Sequence, residues 1–237
     1  MDASRVNTIK GRSPLRASAK IREALAQRGK GVGSISYAYS PKTHRDVVLS
    51  SDLELCHFIS LEGRGDVESY DLDTDRIIAH LVGEGYVGSK PDAVITLRTG
   101  QRCLAEVKYQ SDVANDLRAS LQFQAQEKEA KRIGADWYVY TEEQAAAEEL
   151  FLHDWLHIIT TLSASVDTLY KSLEKRVVAA VKETRIMTLG DFHARNFAPW
   201  NVVFSCVFQL CQRGQLTDNL REKPLSWSTE IGLGSWE

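Results

Sequence analysis

The chain has 237 residues, 43% hydrophobic and 26% charged, with a net charge of −3, enough for one or two globular domains with cores of their own. Its four cysteines, Cys56, Cys103, Cys206 and Cys211, have no CxxC spacing, which excludes a zinc ribbon and a disulfide framework in favour of packed, reduced thiols. No apolar run approaches about 18 residues, so no transmembrane helix and no membrane partner are expected, and the polar start Met-Asp-Ala-Ser-Arg lacks a signal-peptide core, which points to a cytoplasmic protein.

Charge is unevenly spread. Residues 1–48 carry ten Lys/Arg against three Asp/Glu, residues 49–164 ten against twenty-one, and residues 165–237 nine against eight. These shifts divide the chain into a basic N-terminal arm (1–48), an acidic central domain (49–164) and a small C-terminal domain (165–237). A basic arm beside a carboxylate-rich body suits a phosphate contact in front of a metal-attracting domain, or a solvated tail.

Ser18–Arg28 has helical character. Arg28-Gly29-Lys30-Gly31-Val32-Gly33 follows, too glycine-rich for regular structure. It lacks the flanking strand and helix of a dinucleotide site. Arg28 and Lys30 are the candidate DNA-phosphate contacts, and a plain linker is the alternative. A helix is expected over Leu49–Leu61, where Ser51-Asp52-Leu53-Glu54 fits a capping box with Glu54 returning to Ser51. Glu54 is therefore either a cap or a metal-site carboxylate. His57 reads as a packed or surface histidine, and Glu62 as a solvated charge at the helix end.

Residues 67–109 read as a β-meander: Val67–Tyr70, Arg76–Val82, Tyr86–Leu97 interrupted near Pro91, and Arg102–Tyr109. Asp73 and Asp75 fall in a turn. Period two puts Asp92, Val94 and Thr96 on one face of their strand, and Leu104, Glu106 and Lys108 on one face of the next. Strands deplete Asp and Lys, yet Asp92, Glu106 and Lys108 converge from neighbouring strands. A half-exposed strand with a surface charge pair is the alternative. A helix follows from Ser111 or Asp112 to about Ile133, with Ala114, Leu117, Leu121 and Ala125 on its apolar stripe and Gly134 as its stop. Then come a strand, Trp137–Tyr140, and a second capping box, Thr141–Gln144, opening a helical region to about Ser163. The order predicts an α/β fold, a mixed sheet with helices on its faces. His153 and His157 are i,i+4 but have no acid in HExxH register.

The C-terminal domain reads as a helix carrying Val166, Leu169, Leu173, Val177 and Val181, a short helix after Thr188, and a third from Pro199 to Gly214. A hairpin of Gln215–Thr217 with Leu225–Ser228 follows. Three helices and a hairpin describe a winged helix. Its low net charge favours a protein-docking surface over DNA.

The chemistry that fits Asp-(x)13-Glu-x-Lys is metal-dependent phosphodiester hydrolysis. Mg²⁺ prefers oxygen ligands, and Mn²⁺ takes the same donors. Asp92 and Glu106 are the candidate ligands, with Glu54 completing a second position for ions roughly 3.5–4 Å apart. Lys108 would hold the attacking water or offset charge on the phosphate.

Leu49-Ser50-Ser51-Asp52-Leu53-Glu54-Leu55 with Phe58-Ile59-Ser60-Leu61-Glu62 resembles the active-site helix of TnsA, the endonuclease subunit of heteromeric transposons of the Tn-seven type. Arg28-Gly29-Lys30-Gly31 with Tyr37, Lys90-Pro91-Asp92 and Ala105-Glu106-Val107-Lys108 resemble that family's basic segment, its acidic strand and its ligand-x-Lys strand, in order over residues 28–140. Ser34–Ser40 departs from the family in lacking a Pro-Trp pair. Residues 165–237 resemble the family's C-terminal helical domain more loosely. The resemblance implies a restriction-endonuclease-like fold and Mg²⁺-dependent nicking of double-stranded DNA at the 5′ transposon ends. It implies catalytic roles for Glu54, Asp92, Glu106 and Lys108, with Glu54, Asp92, Glu106 and Val107 at the metal. The implied partners are a TnsB-like DDE transposase and a TnsC-like AAA+ ATPase docking on the C-terminal domain. A standalone restriction or junction-resolving nuclease, and a DNA-bound adaptor with an inactive core, are the alternatives.

Overall fold

The computed structural model describes residues 34–115, 117–165 and 171–236. Arg28, Lys30, the helical stretch Ser18–Arg28, and Val166 and Leu169 lie outside the described residues. The chain is a mixed α/β protein, and among the described residues no helix is long and apolar enough to cross a membrane.

The first described element is a hairpin that the sequence pattern hid inside the basic arm. Strands β1 (Ser36–Ser40) and β2 (Arg45–Leu49) pair antiparallel, Ser36 opposite Leu49 and Ser40 opposite Arg45. Leu49 thus ends a strand instead of opening a helix. Helix α1 (Asp52–Gly63) starts one turn later, with the Ser51 hydroxyl accepting from the Glu54 N–H. The Glu54 carboxylate returns to the Ser50 N–H at 2.8 Å and to the Ser51 hydroxyl at 3.3 Å, so the box closes one residue earlier than its spacing suggests.

The expected meander is rearranged. Strands β4 (Ile77–Leu81) and β5 (Gly85–Ser89) form a separate two-stranded sheet around Gly83 and Gly85, both at positive φ. Strand β3 (Val67–Asp71) therefore pairs with β6 (Ala93–Leu97), which pairs with β7 (Arg102–Val107). Pro91 lies between the two sheets; it has no N–H for a ladder, and its carbonyl accepts from Thr74. After β7, short helix α2 (Gln110–Asn115) and helix α3 (Leu117–Arg132) cross over to β8 (Asp136–Tyr140), which lies parallel to β7. Parallel neighbours need such a crossover. The four-stranded sheet has the order β3-β6-β7-β8. α3 covers one face with Ala119, Ala125, Gln126 and Ala130; of the expected stripe Ala125 is buried and Leu121 half-buried, whereas Leu117 is exposed.

Helices α4 (Glu142–Ala147), opened by the expected Thr141–Gln144 capping box, and α5 (Glu149–Ala164) follow, with α1 packed against α5. Helix α6 (Lys171–Thr184), strand β9 (Ile186–Thr188), and helices α7 (Leu189–Arg195) and α8 (Trp200–Gln212) lead to strands β10 (Leu216–Asp218) and β11 (Glu230–Leu233). The last three strands form an antiparallel sheet of order β10-β11-β9. Leu225–Ser228, expected as a strand, is a turn. The Leu225 N–H is spent on Asp154 at 2.6 Å, and Ser226 and Thr229 bond to each other.

One buried apolar cluster extends from Val47 in β2 to Ile231 in β11. Trp155 of α5 meets Phe208 of α8 edge-on, ring centroids 5.8 Å apart, and neither has solvent exposure. Beside them two backbones cross. A Cβ on Gly65 would lie 2.8 Å from the Cys211 carbonyl, and one on Gly214 would lie 2.5 Å from the Gly65 carbonyl. The four cysteines are free thiols, and Cys206 and Cys211 share α8.

Candidate active site

Asp92 and Glu106 meet because of strand register. Ala93 pairs with Ala105, and the next step back along β6 sets Asp92 opposite Glu106, with both side chains on one face. Asp92 Oδ2 accepts from the Val107 N–H at 2.7 Å, which pins that carboxylate across the strand gap. Lys108 Nζ lies 3.4 Å from Glu106 Oε1, the lysine partly exposed and the glutamate buried. The three residues singled out by spacing are therefore brought together.

The electrostatics match the crowding. Burial, and then the Glu106 charge, push the Asp92 carboxyl up to about 7; the Glu54 charge adds to the rise, while the Val107 N–H and Lys108 oppose it. Two facing acids with one ammonium leave excess negative charge in a half-buried position, which fits a hard divalent cation. The donor chemistry fits as well: one oxygen of Asp92 beyond the Val107 bond, Oε1 of Glu106, and a carbonyl as the only ligand Val107 offers. Glu54 is near enough to act on Asp92, but both of its oxygens are engaged at the start of α1. Among the described residues no group of three or more His, Cys, Asp or Glu side chains is drawn together closely enough to hold a metal. The pair, not a triad, is the feature the fold provides.

Three residues carry more than the sequence pattern assigned them. Gln126 of α3 has no solvent exposure and donates to Glu106 Oε2 at 2.7 Å. Its only signal was a polar residue seven positions after Ala119 and four before Ala130 on the buried side of an amphipathic helix. Ser89, at the end of β5, lies 2.8 Å from the same amide nitrogen. Glu62, expected at the surface, is fully buried. It accepts from Ser40 and Tyr70 at 2.5 Å and from Gln212 at 2.7 Å.

His57 is packed against Tyr138 and Tyr140, with Nε2 2.7 Å from the Tyr138 hydroxyl, and burial pushes it down to about 3. His153 and His157 meet edge-on along α5, their ring centroids 5.0 Å apart. Asp73 lies 3.6 Å from Lys90, as a turn acid. No protein-family model and no curated protein matches the chain.

Proposed function

We propose that this chain is a Mg²⁺-dependent DNA endonuclease of the TnsA type, nicking the 5′ ends of a transposon alongside a DDE transposase and an ATPase regulator. The observation that carries the reading is the placement of Asp92 opposite Glu106, with Lys108 on Glu106. A surface charge pair does not require a second, buried acid in register with the first.

The architecture supports the same reading. A helix, three antiparallel strands, a crossover helix and a parallel fourth strand, with the acids at adjacent ends of the middle strands, is what a restriction-endonuclease-like core requires. The order α6-β9-α7-α8-β10-β11, with β11 between its neighbours, suits a winged-helix-like C-terminal domain. Its third helix is apolar and largely buried, which favours a protein partner over a DNA groove.

Asp92, Glu106 and the Val107 carbonyl would hold the cation. A bound Mg²⁺, or Mn²⁺ in its place, supplies an activated water and neutralises phosphate charge. The Val107 N–H fixes Asp92, so one of its oxygens keeps a constant direction. Lys108 is tethered to Glu106 yet reaches solvent, where its ammonium offsets charge building on a scissile phosphate. Glu54 keeps the start of α1 closed beside the acids.

The test is strand cleavage by the purified full chain on DNA carrying transposon ends, with Mg²⁺ or EDTA, and with or without the transposase and ATPase. Mg²⁺-dependent nicking that requires the partners is expected. Equal cutting without them points to a standalone nuclease. Tight DNA binding with no cutting under any condition points to the inactive adaptor and overturns the enzymatic reading.

A further inference from the structure

Gln126 joins three elements through one amide. Its Oε1 accepts from Trp137 Nε1 at 3.0 Å, and its Nε2 donates to Glu106 Oε2 at 2.7 Å and to Ser89 Oγ at 2.8 Å. An indole N–H can only donate, so the amide oxygen must face Trp137. The opposite flip would set N–H against N–H and leave the Glu106 oxygen facing an acceptor. The two amide hydrogens are then fully committed, one to the acid and one to the serine. The orientation follows from the partners' chemistry, independent of how the amide is drawn.

The consequence falls on Glu106. Oε2 is tied to α3, and Oε1 is left on the side of Lys108 and Asp92. The indole of Trp137 is itself braced by Phe123 of α3, ring centroids 5.7 Å apart. Ser89 ends β5, only three residues before Asp92, so the same amide also holds the strand that leads into the second acid.

Building on the metal-dependent reading above, we infer that Trp137 and Gln126 form a positioning relay that fixes the rotamer of Glu106 and selects Oε1 as the oxygen offered to the divalent cation. Gln126 and Trp137 do not touch substrate. They act through Glu106, as outer hydrogen bonds orient metal-binding side chains, where a lost partner typically costs about 10- to 100-fold in affinity.

Mn²⁺ binding to the full chain without DNA, followed by calorimetry or by loss of the free-ion electron-spin-resonance signal, tests this. Gln126→Met keeps length and apolar volume but removes the amide; a loss of about 10- to 100-fold in Mn²⁺ affinity is expected. Trp137→Phe leaves Gln126 in place but frees it to flip, and a smaller loss, about 3- to 10-fold, is expected. The double variant should lose little more than Gln126→Met alone, since the two act in series. Circular dichroism shows whether each variant is folded, and Trp137→Phe keeps the test open if Gln126→Met is not. Wild-type Mn²⁺ affinity in folded Gln126→Met, or in Trp137→Phe alone if only that variant folds, overturns the relay while leaving the nuclease reading intact. Absence of Mn²⁺ binding by the wild-type chain overturns both. Losses that add fully in the double variant show two unrelated effects and overturn the series arrangement.

Discussion

Asp92 occupies a position that costs the metal-free fold free energy. A free aspartate ionises near 4, whereas this one is held at about 7 by burial and by the facing glutamate. Between those values the folded chain binds the extra proton and the unfolded chain does not, so stability falls as pH rises from about 4 to 7 and the penalty is complete above that. At most about 4 kcal/mol is involved. Asp92→Asn is therefore expected to raise the melting temperature in EDTA at pH 8 and leave it nearly unchanged at pH 4.5. Equal melting temperatures at pH 8 would remove the argument for stored charge. The same residue should be indispensable for function. Asp92→Ala and Lys108→Ala are each expected to lower Mg²⁺-dependent nicking at least about 100-fold with an unchanged far-ultraviolet spectrum. Cleavage by Asp92→Ala at the wild-type rate would refute the site. Strand spacing alone made this trio legible, because period two and a closable gap are sequence properties. Gln126 and Glu62 were not legible, because what makes them matter are partners 20 and 150 positions away.

At the scale of elements, local signals were reliable and pairings were not. Ser51, Thr141 and Thr188 all cap helices, and Gly134 follows the end of α3 at positive φ. Each is a decision among neighbouring residues. The choice of β6 instead of β4 as partner for β3 depends on long-range register, which composition does not encode, and β1 and β2 were masked by the charge of the segment around them. Glu54 shows the two scales meeting. Its carboxylate holds the start of α1, so Glu54→Ala is expected to destabilise the fold by about 1 kcal/mol through the cap. Glu54→Gln keeps an acceptor for the Ser50 N–H and should keep most of that stability. If Glu54→Gln melts like wild type but nicks at least about tenfold more slowly, the carboxylate serves the reaction as well as the helix. Unchanged nicking would assign it to the cap alone.

Across the whole molecule, the C-terminal helices share a core with the sheet-bearing half. Trp155 and Phe208 are in contact, and Gln212 of α8 reaches both the side chain and the carbonyl of Glu62 on α1, the helix whose first turn holds Glu54. A buried carboxylate deprived of such a partner is expensive, on the order of 2 kcal/mol or more. Gln212→Leu should lower the melting temperature by several degrees, and calorimetry should show one transition moving as a unit. Two separated transitions, only one of them shifted, would show that the halves melt independently. The composition shift near residue 165 marks a change in charge; one apolar cluster includes Leu162 of α5 before it and Leu173 of α6 after it.

The crossing of Gly65 and Gly214 adds a rule about permissible change. Each lacks a side chain for the sake of the other strand of chain, and Gly214 also holds φ +69, where alanine is strained. Shrinking one position cannot make room at the other, since both are already the smallest residue there is. The two sites should thus be locked jointly in any random-mutagenesis library, with survivors keeping glycine at both and no second-site suppressor arising between them.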